Sequence, residues 1–248
     1  MCGIFGEFGH SLISKDQFIN LNALSRNRGP DMSGYWTDHH HSQLGFNRLS
    51  ILDLSENGNQ PMISSNENWV IIMNGEIYNY LEIRNKLGKT AADFNSKTDT
   101  EVVLSAFENW GIKETLKHLN GIFAIALFDR KENMMHLIRD FAGVKPLYFS
   151  IYNNVVVFAS QYDQIFKHPI NNNLNVRQES LIDYIRLGYI PAPNAFFQNT
   201  WQVQPGEVIS VNINMEVSDY KYYSFESSEI KYNETDPNVI PKIDNILS

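Results

Sequence analysis

Cysteine is nearly absent: Cys2 is the only one in 248 residues, so no internal disulfide can form and the cross-linked secreted domains are excluded. Long apolar runs are missing as well. The longest strongly apolar stretch, residues 122–128, is far short of the ~20 residues needed to cross a bilayer. No basic-then-apolar leader opens the chain, so the cytoplasm is the expected compartment. There the acceptor-like triplet Asn233-Glu234-Thr235 never meets a glycosylating enzyme. Positive charge is in deficit, with 20 Lys and Arg against 28 Asp and Glu and a formal net charge of −8. That balance offers no electrostatic reason to expect nucleic acid or an anionic membrane as a partner. No glycine-rich phosphate loop of the dinucleotide or P-loop kind occurs, and no internal repeat. The run His39-His40-His41 is the one cluster of metal-ligand type, but adjacent histidines in a turn point in different directions, so no metal is expected.

What is present suits one large domain, or one domain with an appendage. Residues 4–8 read as a strand, and residues 15–26 as a helix with Phe18, Leu21 and Leu24 on one side. Short strands are expected at 33–37 and 43–46, and an apolar strand at 69–73 that delivers Asn74 and Gly75 to its C-terminal end. Residues 78–87 look helical and stop at Gly88. Thr98 or Asp99 is placed to cap a helix through Trp110. Strands follow at 121–129, 134–139, 146–152 and 155–159, the last two joined by the turn signal Asn153-Asn154. Helices are expected at 162–167 and 178–187, and strand-like alternation returns from 207 to 223. Beyond residue 224 the chain turns polar, and a helical pattern resumes at 239–247. Strands grouped with helices, rather than strictly alternating with them, argue for an α+β architecture with antiparallel sheets.

Cys2 follows Met1 directly, so removal of Met1 leaves a thiol and a free amine on one residue. A thiolate is a nucleophile, and an α-amine with an unperturbed pKa of about 7.7–8.0 acts as a base near neutral pH without a histidine. Met1 before Cys2 and Gly3 fits the preference of methionine aminopeptidase for small following residues.

Seven stretches, taken in order, carry a resemblance. They are Met1-Cys2-Gly3-Ile4-Phe5-Gly6, Arg28-Gly29-Pro30-Asp31-Met32-Ser33-Gly34, Arg48-Leu49-Ser50-Ile51-Leu52-Asp53 and Asn74-Gly75-Glu76-Ile77-Tyr78-Asn79. Thr98-Asp99-Thr100-Glu101, Gly121-Ile122-Phe123-Ala124 and Arg139-Asp140 through Gly143-Val144-Lys145-Pro146-Leu147-Tyr148 complete the set. Together they resemble the class II glutamine amidotransferases, whose N-terminal cysteine hydrolyses glutamine. Asn59-Gln60-Pro61-Met62 and Gly188-Tyr189-Ile190-Pro191-Ala192-Pro193 bring the chain nearest to the asparagine synthetases. The resemblance implies a four-layer αββα sandwich of two antiparallel sheets, the N-terminal nucleophile hydrolase fold. It also implies a glutaminase domain over residues 1–215 and a connecting segment over 216–248, leading to a synthetase domain outside this chain.

In that family the cysteine, here Cys2, is the nucleophile. The side-chain amide of Asn74 and the backbone N–H of Gly75 would form the oxyanion hole, although Asn-Gly is also a common hairpin turn. Arg48 would clamp the α-carboxylate of glutamine and Asp99 would receive its α-ammonium, with backbone groups around Leu49, Ile51 and Glu76 completing the pocket. Taken alone, Arg48 and Asp99 read as a surface charge and a helix cap. The implied partners are glutamine, the synthetase half and a second copy in a homodimer. No cofactor is expected in this domain, since ATP and magnesium belong to the synthetase half.

Five places, seven residues in all, depart from the usual family pattern: Asn27, Met32, Phe46-Asn47, Phe141-Ala142 and Gln161. None of them carries chemistry, but they leave the ammonia acceptor open. An amidotransferase acting on a sugar carboxylate in surface-polysaccharide synthesis is the first alternative, and a non-catalytic binding domain the second.

Overall fold

The computed structural model describes residues 1–172 and 174–224; the helical pattern expected at 239–247 and most of the expected connecting segment lie outside them. In chain order the elements are β1 (Gly3–Gly9), α1 (Lys15–Asn22), β2 (Met32–Thr37), β3 (Ser42–Arg48), β4 (Met62–Ile63), β5 (Trp69–Ile77), α2 (Tyr80–Lys86) and α3 (Asp99–His118). They continue as β6 (Gly121–Asp129), β7 (Met134–Arg139), β8 (Tyr148–Tyr152), β9 (Val155–Ala159), α4 (Tyr162–Phe166), α5 (Gln178–Leu187), β10 (Thr200–Gln202), β11 (Glu207–Asn212) and β12 (Val217–Lys221).

The strands make two six-stranded sheets, ordered β10-β8-β9-β1-β3-β2 and β12-β11-β7-β6-β5-β4. Every pairing in them is antiparallel. Side chains alternate between the two faces of a strand, and in the central strands both faces are apolar. On β1, Ile4 and Phe8 turn inward to the layer between the sheets, where they meet Leu44, Phe158, Val70, Ile72, Phe128 and Leu137. Phe5 turns the other way, onto Phe18 and Leu21 of α1 and Ile165 of α4. On β5, Ile71 and Met73 face outward under Val102, Val103, Ala106 and Phe107 of α3. Helices thus cover the outer faces of a double sheet, the four-layer αββα sandwich.

The caps follow local rules. Ser14 accepts from the Gln17 N–H at the start of α1, and Thr98 accepts from the Glu101 N–H at the start of α3. Asn153 and Asn154 take positive φ values of 47° and 61° and close the β8–β9 hairpin.

Three expectations shift. β5 runs on to Ile77, so Asn74 and Gly75 are paired residues inside the strand, opposite Ala124 and Phe123, rather than at its end or in a hairpin turn. The polar pair interrupts the apolar pattern without interrupting the ladder. α3 continues past Trp110 to His118 across a break at Gly111, whose φ of 74° is a left-handed value that glycine adopts without strain. The sheet also extends past residue 215: β12 pairs with β11 from Val217 to Lys221, because the alternating pattern simply folds back after the turn at 213–216.

Candidate functional site

Cys2 stands just before β1, half-buried against the inter-sheet core. The Leu49 N–H donates to its sulfur at 3.4 Å, the thiol lies 3.7 Å from the Leu49 carbonyl, and Arg28 Nε holds the Cys2 carbonyl at 3.1 Å. Burial pushes the thiol pKa up, and the Leu49 hydrogen bond opposes that shift. Met1, whose peptide bond masks the Cys2 nitrogen, is 57% exposed. Among the described residues, no histidine lines the pocket around the sulfur.

Asn74 shares the inward face of β5 with Val70 and Ile72, so its amide lies in the layer between the sheets. There Nδ2 donates to Ser160 Oγ at 3.4 Å. At Gly75 a Cβ would come within 2.3 Å of the Ile122 carbonyl on β6, so only glycine permits this strand approach.

Arg48 ends β3 and is 4% exposed. The loop that follows wraps its guanidinium: Nη1 donates to the Ser55 carbonyl at 2.6 Å and Nη2 to the Asp53 carbonyl. A Cβ on Gly58 would sit 2.1 Å from Nη2, so the small residue makes room for the cation. The Asp53 carboxylate is held down to about 2 by the Lys97 N–H and by Ser55, which pins the loop to the start of α3.

Asp99 opens α3, and its Oδ2 accepts from the Ile77 N–H at 2.7 Å. Burial raises its pKa against these hydrogen bonds. Glu76 is raised too, first by burial and then by the Asp99 charge. Glu76 and Asp99 thus line one recess, and the charge of Asp99 disfavours ionisation of Glu76.

Cys2, Arg48, Leu49, Ile51, Gly75, Glu76 and Asp99, seven of the eight residues proposed from sequence, line a single pocket. The eighth, Asn74, is 1% exposed and is not among the residues that line it. Ile51, by contrast, is 63% exposed at the rim. Sequence reasoning gave no role to Gln60, Thr100, Gly58 or Ser160. Gln60 extends the sheet with a side chain: Oε1 accepts from the Met73 N–H at 2.6 Å, and Nε2 donates to the Met73 carbonyl at 3.3 Å and to Thr100 Oγ1 at 3.1 Å. The only signal for it was its place in the stretch 59–62.

Comparison with known proteins shows the family. A family model described as a glutamine amidotransferase domain matches residues 1–223. An asparagine synthetase (glutamine-hydrolysing) 1 of Bacillus subtilis is 32% identical over 94% of this chain and 37% of its own length. Asparagine synthetase (glutamine-hydrolysing) 3 of the same organism is 32% identical over 92% of this chain and 38% of its own. The chain therefore spans well under half the length of these curated relatives. Among solved structures, glutamine phosphoribosylpyrophosphate amidotransferase from B. subtilis superposes with a TM-score of 0.63 at 19% identity, over 90% of this chain and 49% of that one. That likeness establishes the N-terminal nucleophile hydrolase fold. With the family model covering nearly all of the described residues, the chain belongs to the class II glutamine amidotransferase family.

Proposed function

We propose that this domain hydrolyses glutamine to glutamate and ammonia through Cys2. The observation that carries the reading is the convergence of one thiol, one buried guanidinium and a carboxylate pair on the same recess. Free glutamine presents a carboxamide, a carboxylate and an ammonium, and each has a counterpart there. Arg48 keeps donors beyond the two taken by loop carbonyls and offers them to the α-carboxylate. Asp99 and Glu76 receive the α-ammonium.

Chemically, the α-amine of trimmed Cys2 takes the thiol proton and the sulfur attacks the side-chain amide carbon. The electron pair of the C=O moves onto oxygen, where Asn74 Nδ2 and the Gly75 N–H would stabilise it. Collapse breaks the C–N bond, ammonia leaves with the proton from the α-ammonium, and a γ-glutamyl thioester remains. Water adds to the thioester, its proton returns to sulfur, and glutamate departs.

The ammonia is assigned to ATP-dependent synthesis of asparagine from aspartate in a synthetase half, which would also hold the ATP and magnesium. The length and names of the relatives support this assignment. So does α5, on which only Ser180 is buried while Leu181, Ile182, Ile185 and Leu187 are 41–74% exposed, a face suited to a covering domain. The five departures from the family pattern keep a sugar carboxylate as the alternative acceptor. The direct test is glutamine-dependent ammonia release by the trimmed chain and by Cys2→Ala: turnover only with the thiol supports the reading, and equal turnover without it ends it.

A further inference from the structure

Ser160 follows the last residue of β9 and is 2% exposed. Its backbone N–H donates to the Ile4 carbonyl at 2.9 Å, the final rung between β9 and β1. The return bond is made by a side chain: the Ile4 N–H donates to Ser160 Oγ at 3.4 Å. The same oxygen accepts from Asn74 Nδ2 at 3.4 Å, from the opposite sheet. One hydroxyl therefore joins the strand that follows the nucleophile to the strand that carries the amide, across a layer otherwise filled by side chains such as Ile4, Ile72 and Phe158.

A carboxamide nitrogen has two protons. One is held by Ser160, and Nδ2 has no other protein acceptor among the described residues. A side chain tied at one proton cannot swing its amide freely, so the second proton stays at one orientation, which is the condition for a pre-organised oxyanion donor. Resting on the glutaminase reading above, we infer that Ser160 is a positioning residue for the reaction: its buried hydroxyl ties the Asn74 amide to the nucleophile-bearing strand and leaves one amide proton for the developing oxyanion. Ser160 touches no substrate itself. Its effect is on the transition state, where the charge appears, and little on glutamine in the ground state.

The test uses the full chain with Met1 removed. Ser160→Ala is expected to lower kcat about tenfold while KM for glutamine stays within about twofold, as for a contact felt only in the transition state. Asn74→Ala and the double variant are expected to have equal kcat, and Ser160→Thr, which keeps the hydroxyl, to recover most of the loss. In 15N-labelled protein, the Asn74 side-chain protons are expected to exchange with water faster in Ser160→Ala than in the unsubstituted chain. Unchanged kcat in Ser160→Ala, losses that multiply in the double variant, or unchanged Asn74 exchange would each overturn the tether. A trimmed but unsubstituted chain that releases no ammonia removes the glutaminase reading instead, and the exchange measurement still decides whether Ser160 holds Asn74.

Discussion

The Leu49 N–H reaches the Cys2 sulfur at 3.4 Å across 47 residues of sequence. Leu49 follows Arg48, so the nucleophile and the cation proposed to hold the substrate are fixed to one another through a single peptide unit. Movement of the Arg48 loop should therefore disturb the thiol as well as binding.

Arg48→Lys tests the clamp. An ammonium is a point charge that cannot hold two loop carbonyls and still present a fork to a carboxylate, so KM for glutamine is expected to rise about tenfold or more. Steady-state kinetics check this, and an unchanged KM removes Arg48 from the site.

Gly58→Ala tests the same clamp from its other side. The added methyl meets Nη2 at 2.1 Å, and the far end of a flexible side chain moves before the backbone does. The variant is expected to fold with a melting temperature near that of the parent, yet to bind glutamine about tenfold more weakly as the guanidinium is displaced. Normal KM would mean that the position of Arg48 is immaterial.

Much of this was legible in the chain. Apolar runs located β1, β6, β7 and β9 because both faces of these strands are buried, and Thr98 marked the start of α3 because a side-chain cap is a local event. Cys2, Arg48, Asn74 and Asp99 were proposed through short motifs. What escaped depends on distant partners. Nothing near Gln60 announces that its amide will pair with Met73, and Ser160 lies 86 residues from Asn74. The length of β5 was misjudged because Asn74 and Gly75 look like a turn until β6 is laid beside them.

Asp99→Asn separates binding from stability. The raised pKa of buried Asp99 means that the folded chain holds a proton the unfolded chain has released. This contribution is present below the unfolded value near about 3.9 and is lost as pH rises through the higher folded value. Asp99→Asn is expected to flatten that fall and to be at least as stable as the parent at pH 7, while KM for glutamine rises about tenfold or more with loss of the ammonium's partner. Urea unfolding at several pH values, paired with kinetics, checks both halves.

His136, which is not among the residues lining the Cys2 pocket, is expected to contribute acid sensitivity. It is 7% exposed, shares a 2.8 Å hydrogen bond with Ser210 Oγ, and burial lowers its pKa from 6.5 to about 4. Between these values the unfolded chain takes up a proton that the folded chain refuses. Stability is therefore lost as pH falls from 6.5 toward 4, by roughly 3 kcal/mol at most. In His136→Gln the dependence over that window is expected to shrink, as read by urea midpoints at pH 6.5 and 4.5.

The most direct measurement compares the trimmed chain with one whose Cys2 nitrogen stays in a peptide bond. Intact mass would be recorded before and after a glutamine-mimicking diazo ketone, and ammonia release followed in parallel. The account predicts that loss of Met1 brings both turnover and a single adduct on Cys2, and that the extended chain shows turnover reduced by about a hundredfold or more without its internal base. Equal ammonia release by the two forms would contradict it.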